Sequence, residues 1–358
     1  MNIAVFEPYY GGSHKAFLKS LQGHFSHNFN FYTLPASKWK WRMRLAAPYF
    51  ASLIANGSIA LGDVDSILCS SFLDVAVFKG LLPLQYKDVP IYTYFHENQF
   101  AYPVQVNHER DVHFSLTNLT TALASDKIAF NSHYNLDTFL TGSHDILRLS
   151  PDMQCDTLID SVQKKAVILY PGIDFQEIDK RSKSRTHNDV PVILWNHRWE
   201  HDKNPELFFT TLTGLKAKGI DFRLIVMGKS FNQKPPSFEM AHHELADKIL
   251  HFGYIDSREE YIDMLCLSDI VVSTSIHEFY GISVIEAVRA GCCPLLPDRL
   301  SYKELFPDEF RYCDSEFEDK LIDVVINRRI DLKRAHELTD SYGWHNLFPD
   351  YSQWLNTN

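Results

Sequence analysis

The sequence predicts an α/β protein of two doubly wound domains, and three observations carry that prediction. At 358 residues the chain exceeds what one hydrophobic core normally supports, so two domains are expected. Short β-branched runs such as Ile270-Val271-Val272 alternate with stretches of helical apolar spacing through both halves. Between the halves lies a polar, charge-rich run from Asp174 to Asp189, after which a new β/α series begins at Val190.

In chain order, the first half reads as strands near 1–6, 28–34, 64–70, 91–96, 127–131 and 167–170. Helical patterns fall near 14–22, 72–80, 111–124 and 133–140, the alternation of a doubly wound sheet. The second half reads as strands near 191–196, 222–228, 249–252, 269–274 and 292–296 with helices between them. This gives a first domain over 1–173, a linker over 174–190, a second domain over 191–340 and a terminal segment over 341–358. That last segment carries Trp344, Leu347, Phe348, Tyr351 and Trp354, an apolar stripe too rich for a free tail.

Charge and cysteine usage narrow the function. Lys+Arg 35 against Asp+Glu 45 gives a formal −10, the wrong sign for a general nucleic-acid binder, so any such contact must be local. The dense basic stretch is Lys38-Trp39-Lys40-Trp41-Arg42-Met43-Arg44. Its indoles can stack on exposed bases while the cations meet phosphates, or the stretch is a surface loop whose tryptophans pack inward. Cys69, Cys155, Cys266, Cys292, Cys293 and Cys313 show no metal-ligand spacing, which points to free thiols and a reducing compartment. No signal peptide precedes the first strand and no apolar run approaches the length of a membrane span, so a cytoplasmic location is expected and the glycosylation-type triplets at Asn56 and Asn118 read as chance.

Three elements carry chemistry. In Glu278-Phe279-Tyr280-Gly281-Ile282-Ser283-Val284-Ile285-Glu286, two carboxylates flank a glycine where a strand gives way to a helix, since Ile282, Ile285, Ala287, Val288 and Ala290 have helical spacing. Backbone N–H groups and the helix dipole favour an anion there, and glycine lets a ligand approach the backbone. Glu286 can then accept from vicinal hydroxyls while Glu278 reaches in from the loop; the plainer alternative leaves Glu286 in solvent and Glu278 as a helix-start charge. After the strand Val192-Ile193-Leu194-Trp195, the loop Asn196 to Asn204 leads to a helix that Pro205 can start. Arg198 as a planar fork and Lys203 as a mobile point charge can converge on a diphosphate, unless both are spent in salt bridges with Glu200 and Asp202. At the start of the chain, a buried strand runs into Glu7-Pro8-Tyr9-Tyr10-Gly11-Gly12-Ser13-His14-Lys15, where the paired glycines open a helix with Ser13 as a plausible cap, or form a tight turn without a ligand.

In this order the three elements resemble the retaining glycosyltransferases of the GT-B fold, specifically glycosyltransferase family 4, over nearly the whole chain. The resemblance implies two Rossmann-like domains facing a central cleft, with a terminal helix that crosses back to the first. It implies that Gly11 and Gly12 approach the donor's diphosphate, that Arg198 and Lys203 hold it, and that Tyr280 and Gly281 belong to the donor site. Glu278 would contact sugar hydroxyls and Glu286 ribose hydroxyls. Tyr9 to Lys15, Phe95-His96-Glu97-Asn98-Gln99, His197 to Lys203 and His277 to Gly281 are closer still to the tRNA-queuosine mannosyltransferase family. That family implies transfer of α-mannose from GDP-mannose, as substrate and with no cofactor, to the cyclopentenediol of queuosine in the anticodon loop of aspartate tRNA.

His96 follows the apolar strand Ile91-Tyr92-Thr93-Tyr94-Phe95, and the resemblance raises it from a structural strand-end histidine to a contact at the donor sugar or reaction centre. The same resemblance makes Glu97, Asn98 and Gln99 candidates for acceptor orientation, and it favours RNA contact by Trp39, Trp41 and Arg42. Asp63-Val64-Asp65 matches a D-x-D metal motif superficially but precedes its strand, and Arg198 with Lys203 already offer charge to the diphosphate, so no metal is expected. No residue stands out as a covalent nucleophile, which favours front-face attack with a donor phosphate oxygen taking the acceptor proton. Two other classes remain: a glycosyltransferase acting on a lipid or glycan, and a non-catalytic nucleotide-sugar or RNA-binding module descended from such an enzyme.

Overall fold

The computed structural model describes residues 1–102, 111–149, 152–153, 155–186, 188–230, 235–327 and 329–356. The chain divides into two compact units, Met1–Gly172 with Leu347–Asn358, and Ile173–Asn346.

The first unit is a six-stranded parallel sheet: β1 (Asn2–Tyr10), β2 (Asn28–Pro35), β3 (Ser66–Ser70), β4 (Ile91–Phe95), β5 (Lys127–Phe130) and β6 (Ala166–Ile168), ordered β2-β1-β3-β4-β5-β6. Runs such as Ile3-Ala4-Val5-Phe6 lack apolar/polar alternation because helices cover both faces of a parallel sheet. One core cluster packs Ala4, Phe6, Ile67 and Ile91 against Ala47, Phe50 and Ile54 of the helix Trp39–Ala55. Another packs Phe95, Ile128 and Phe130 against Leu119, Ala122 and Phe139.

The second unit repeats the plan: β7 (Val192–Asn196), β8 (Arg223–Met227), β9 (Ile249–Gly253), β10 (Ile270–Val272), β11 (Cys293–Pro297) and β12 (Arg311–Tyr312), all parallel, ordered β12-β11-β10-β7-β8-β9. In the first sheet the chain lays β2 on one side of β1 and β3 to β6 on the other. In the second, β8 and β9 lie on one side of β7 and β10 to β12 on the other. Ligands of such sheets bind beyond the carboxyl ends of the strands where the order reverses, here β1 and β3 in one unit and β7 and β10 in the other. No helix among the described residues is long and apolar enough to cross a membrane.

Two sequence expectations are corrected. Residues 174–190 are not a linker: the helix Gln176–Ser182 buries Ile178, and Arg185 pairs with Asp269 at 3.3 Å with both side chains buried, so the segment belongs to the second unit; His187 lies outside the described residues. A single buried isoleucine among polar residues leaves too little periodicity to announce that helix. The stretch Lys38 to Arg44 is not a loop but the start of the helix Trp39–Ala55, entered through Lys38 at φ 50 and buried along Met43, Ala46, Ala47, Phe50, Ala51 and Ile54.

The closing helix Trp344–Leu355 starts in the second unit, and from Leu347 onward it packs with the first. The Tyr351 hydroxyl donates to the Tyr170 carbonyl at 3.0 Å, Lys127 donates to the Trp354 carbonyl at 3.0 Å, and Phe348 stacks on Phe25 at 4.7 Å.

Candidate active-site residues

In the second unit, the loops after β7 and β10 meet at the switch point. Lys203 ends the short turn His201–Lys203 and is buried, yet its ammonium has oxygen partners on every side. It donates to the His277 carbonyl at 2.6 Å and to Glu278 Oε2 at 3.1 Å, with Asp202 Oδ2 at 3.3 Å. An ammonium has three donors, so Lys203 ties the loop after β7 to the loop after β10 and is not the mobile point charge expected from the sequence. Burial pushes the Glu278 carboxyl up, but the Lys203 charge and hydrogen bond outweigh it and hold the group at about 2, ionised at neutral pH. His197, also buried, is lowered as well, to about 4, which leaves it neutral: burial and then the Lys203 charge disfavour its cation. Arg198 is exposed and pairs with Glu200 at 2.7 Å, so the salt-bridged reading of this loop holds for that pair.

Gly281 adopts φ 104 and caps the helix Ile282–Arg289, a left-handed position that favours glycine, and a Cβ there would press on Tyr302 at 3.2 Å. The first intrahelical bonds to Gly281 come from Val284 and Ile285, leaving the Ile282 and Ser283 N–H groups at the open end of the helix. Tyr280 is buried, its carbonyl accepting from Ser301 at 2.9 Å. Glu286 is buried and does not point to solvent. Arg258 donates to Oε1 at 2.7 Å, and the Tyr261 hydroxyl donates to Oε2 at 2.8 Å while accepting from Asn196 Nδ2 at 2.8 Å. Each carboxylate oxygen keeps a further lone pair for a hydroxyl. Arg258 and Tyr261, both on the helix Arg258–Leu267, hold the Glu286 carboxylate and were not singled out from the sequence, since on that helix they look like an ordinary solvent face.

In the first unit, the helix Gly12–His24 starts directly after β1 with Gly11 at its N-cap. Ser13 lies inside the helix and makes no cap, a correction to the sequence reading. The two glycines differ in cause. A Cβ on Gly11 would meet the Ala36 Cβ at 2.5 Å, so packing excludes a side chain, whereas Gly12 sits at φ 51 with nothing within 4 Å and leaves the helix start open to a ligand. Beside it, Glu7 is fully buried: Oε1 accepts from Tyr9 N–H at 2.8 Å and Ser70 Oγ at 3.0 Å, and Oε2 accepts from His14 Nδ1 at 3.1 Å. His14 Nε2 lies 4.0 Å from Glu97 Oε2. His96, 8% exposed, packs on His14 with ring centroids 4.1 Å apart and planes tilted by 34°, flanked by Phe17 at 4.9 Å and Tyr94 at 4.7 Å.

Asn98 cannot orient an acceptor. Its side chain is fully buried and fully used: the two N–H groups of Nδ2 are shared among the Asn135 carbonyl, Asn135 Oδ1 and Thr138 Oγ1, and Oδ1 accepts from the Phe100 and Ala101 N–H groups. The neighbouring Gln99 is also buried, its backbone pinned by Asn118 and Ser115. Glu97 remains partly open at its carboxylate. The basic helix splits its indoles. Trp39 packs against Phe114 at 5.2 Å, whereas Trp41 is 63% exposed and shares a face with exposed Leu45 and Tyr49, four and eight residues on. Arg42 is half-buried, with Nε lacking a hydrogen bond.

Among the described residues, the group close enough to surround a metal ion is Glu7, His14 and His96, with candidate atoms within 4.8 Å of one another. The hydrogen bond from His14 to Glu7 and the close packing of the two tilted rings engage that set with itself. Asp63 and Asp65 sit before β3, where the Asp63 carbonyl and Asp65 Oδ2 accept from Asn2.

Residues 2–173 match the family model described as tRNA-queuosine alpha-mannosyltransferase N-terminal, and residues 176–337 match Glycosyl transferases group 1. A Drosophila melanogaster protein, tRNA-queuosine alpha-mannosyltransferase, is 36% identical over 352 residues, spanning 96% of this chain and 92% of its own. Among solved structures, sucrose-phosphate synthase from Thermosynechococcus elongatus superposes with a TM-score of 0.71 at 13% identity, covering 99% of this chain and 98% of that one. The apo form of the lipopolysaccharide outer core galactosyltransferase WaaB gives 0.67 at 11%, covering 99% of each chain. These likenesses place the fold among GT-B glycosyltransferases.

Proposed function

Since the chain belongs to the tRNA-queuosine alpha-mannosyltransferase family, we propose that it transfers α-mannose from GDP-mannose, with retention, to the cyclopentenediol of queuosine in the anticodon loop of aspartate tRNA. The observation that carries this reading is the second unit's switch point, where ionised Glu278, buried Lys203 and the open helix start at Gly281 lie beside the Glu286 carboxylate.

In this reading the helix start at Ile282 and Ser283 receives the diphosphate, the exposed Arg198 fork turns from Glu200 to it when the donor binds, and Lys203 adds its charge from behind Glu278. Glu286, held by Arg258 and Tyr261, accepts from the ribose hydroxyls. Glu278 accepts from sugar hydroxyls, and the helix start at Gly12 offers N–H groups to an anion. His96 acts at the transferred sugar. The diphosphate's charge is met by these groups, with no metal called on. Departure of the nucleoside diphosphate leaves an oxocarbenium-like sugar, and a donor phosphate oxygen takes the acceptor proton on the same face. The exposed Trp41 face, with Lys40 and Arg44 nearby, stacks on unpaired anticodon bases. The cytoplasm is the proposed compartment, consistent with six free cysteines.

The test is a donor panel. The protein is incubated with queuosine-containing tRNA and GDP-mannose, GDP-glucose or UDP-sugars, and the anomeric proton coupling of the glycosylated nucleoside is read by NMR. Addition from GDP-mannose alone, with the α-configuration kept, supports the reading. A β-product would overturn retention, and turnover with a UDP-sugar only would overturn the donor.

A further inference from the structure

Glu7 and His14 lie outside every role assigned above, yet they are among the most completely buried ionisable groups of the first unit. A buried carboxylate or imidazolium is costly unless paired and hydrogen-bonded, so the arrangement that compensates them is specific. Glu7 comes from β1, His14 from the first turn of the helix that Gly12 opens, and Ser70 from the end of β3. They meet at the first sheet's switch point. Glu7 accepts three hydrogen bonds, one of them from His14, and Glu97 faces the other nitrogen of His14. His96 rests on this assembly: its ring lies 4.1 Å from His14 at 34° and is walled by Phe17 and Tyr94. Among the described residues, the His96 ring nitrogens take no hydrogen bond, and although the residue is more than nine-tenths buried they are not sealed from solvent, so they are open to a ligand.

We propose that Glu7 and His14 are positioning residues for the transfer reaction: the His14 ring, clamped between Glu7 and Glu97, is the floor that fixes the His96 ring and turns its unpartnered nitrogen toward the reacting sugar. The proposal rests on the functional reading above. The electrostatics agree with it. Burial acts to lower His14, but Glu7 and then Glu97 raise it to about 10, so it carries a proton at neutral pH. His96 is held well below its ordinary value by burial and by the adjacent His14 charge, so it faces its ligand neutral, with one donor and one acceptor. Around the pair, Tyr94 against His96 and Cys69 near Glu7 are both pushed up by burial and stay neutral, and the Tyr9 ring lies edge-on to His14 at 6.2 Å.

The test combines two readouts on the full chain. In ¹⁵N-histidine spectra at neutral pH, His14 is expected doubly protonated and His96 neutral. In His14→Gln, removal of the neighbouring cation is expected to raise the pH at which His96 titrates. In turnover of GDP-mannose, His14→Gln and Glu7→Gln are expected to lose about 10- to 100-fold in kcat with donor KM little changed, and Glu7→Asp to recover part of the loss. A neutral His14 in the wild type, a His14→Gln variant with wild-type kcat, or a stoichiometric metal ion bound to the two rings would each overturn the proposal. Failure of the wild type to transfer from any nucleotide sugar would instead overturn the functional reading, while the spectra would still report on the clamp.

Discussion

Replacing Lys203 by methionine tests how the second unit's switch point is held. The substitution keeps the aliphatic stem but removes the charge between the His277 carbonyl, Glu278 and Asp202. Glu278 is held at about 2 against an ordinary 4.5, a difference worth about 3 kcal/mol at about 1.4 kcal/mol per pH unit. Breaking a buried pair by removing one partner costs about 3–5 kcal/mol, which agrees. For a unit of this size, about 3 kcal/mol lowers the melting temperature by about 6–12 °C. The pH dependence has a definite sign. A depressed carboxylate contributes stability that is present above its ordinary value and lost as pH falls toward about 2. Without Lys203 the buried carboxylate is disfavoured as an anion, so the gap between wild type and variant is largest at neutral pH and closes in acid as Glu278 protonates. Thermal melts of Lys203→Met, Glu278→Gln and the double variant across pH check this, with the double expected to be more stable than the sum of the singles predicts. A melting shift under about 2 °C, or strict additivity, would refute the reasoning.

Other predictions follow from the same geometry. Glu286→Ala is expected to weaken GDP binding by about tenfold, the scale of one charge-assisted hydrogen bond, while Glu278→Gln loses turnover more than nucleotide affinity; calorimetry with GDP and turnover kinetics separate the two, and unchanged GDP affinity in Glu286→Ala would remove Glu286 from the ribose site. Tyr261→Phe, which deletes the hydroxyl between Asn196 and Glu286, is expected to reproduce part of the Glu286→Ala loss in the same calorimetry. Trp41→Ala is expected to leave stability within about 0.5 kcal/mol but to weaken tRNA binding by about 1–3 kcal/mol, whereas Trp39→Ala, which removes packing on Phe114, is expected to lower the melting temperature first.

The sheets were legible because their strands are continuous apolar runs with few competing readings, Ile91 to Phe95 and Val192 to Trp195 among them. Pro205 at the first helical position and Gly281 before a helix also announced themselves, because each has a conformational reason to stand there. The helix Trp39–Ala55 was hidden by its cationic, indole-rich start and by Pro48 within it, although Met43, Ala46, Ala47, Phe50 and Ile54 carried helical spacing. Partners distant in sequence were not legible at all. Glu286 depends on Arg258 and Tyr261, 28 and 25 residues away, and only the fold brings them together. Asn98 misled because a polar residue after a strand looks like a ligand group, whereas here it ties the chain to Asn135 and Thr138. Glu7 did leave a signal: an acid directly after Ile3-Ala4-Val5-Phe6 in a parallel strand has to be compensated by something buried.

The measurement that bears most directly on the account is mass spectrometry of nucleosides from aspartate tRNA treated with this protein and GDP-mannose, using matched tRNA that carries queuosine or guanosine at the same anticodon position. The account predicts one added hexose on queuosine and none on the guanosine-bearing tRNA. Hexose transfer that ignores queuosine, or donor turnover without any modified nucleoside, would contradict it.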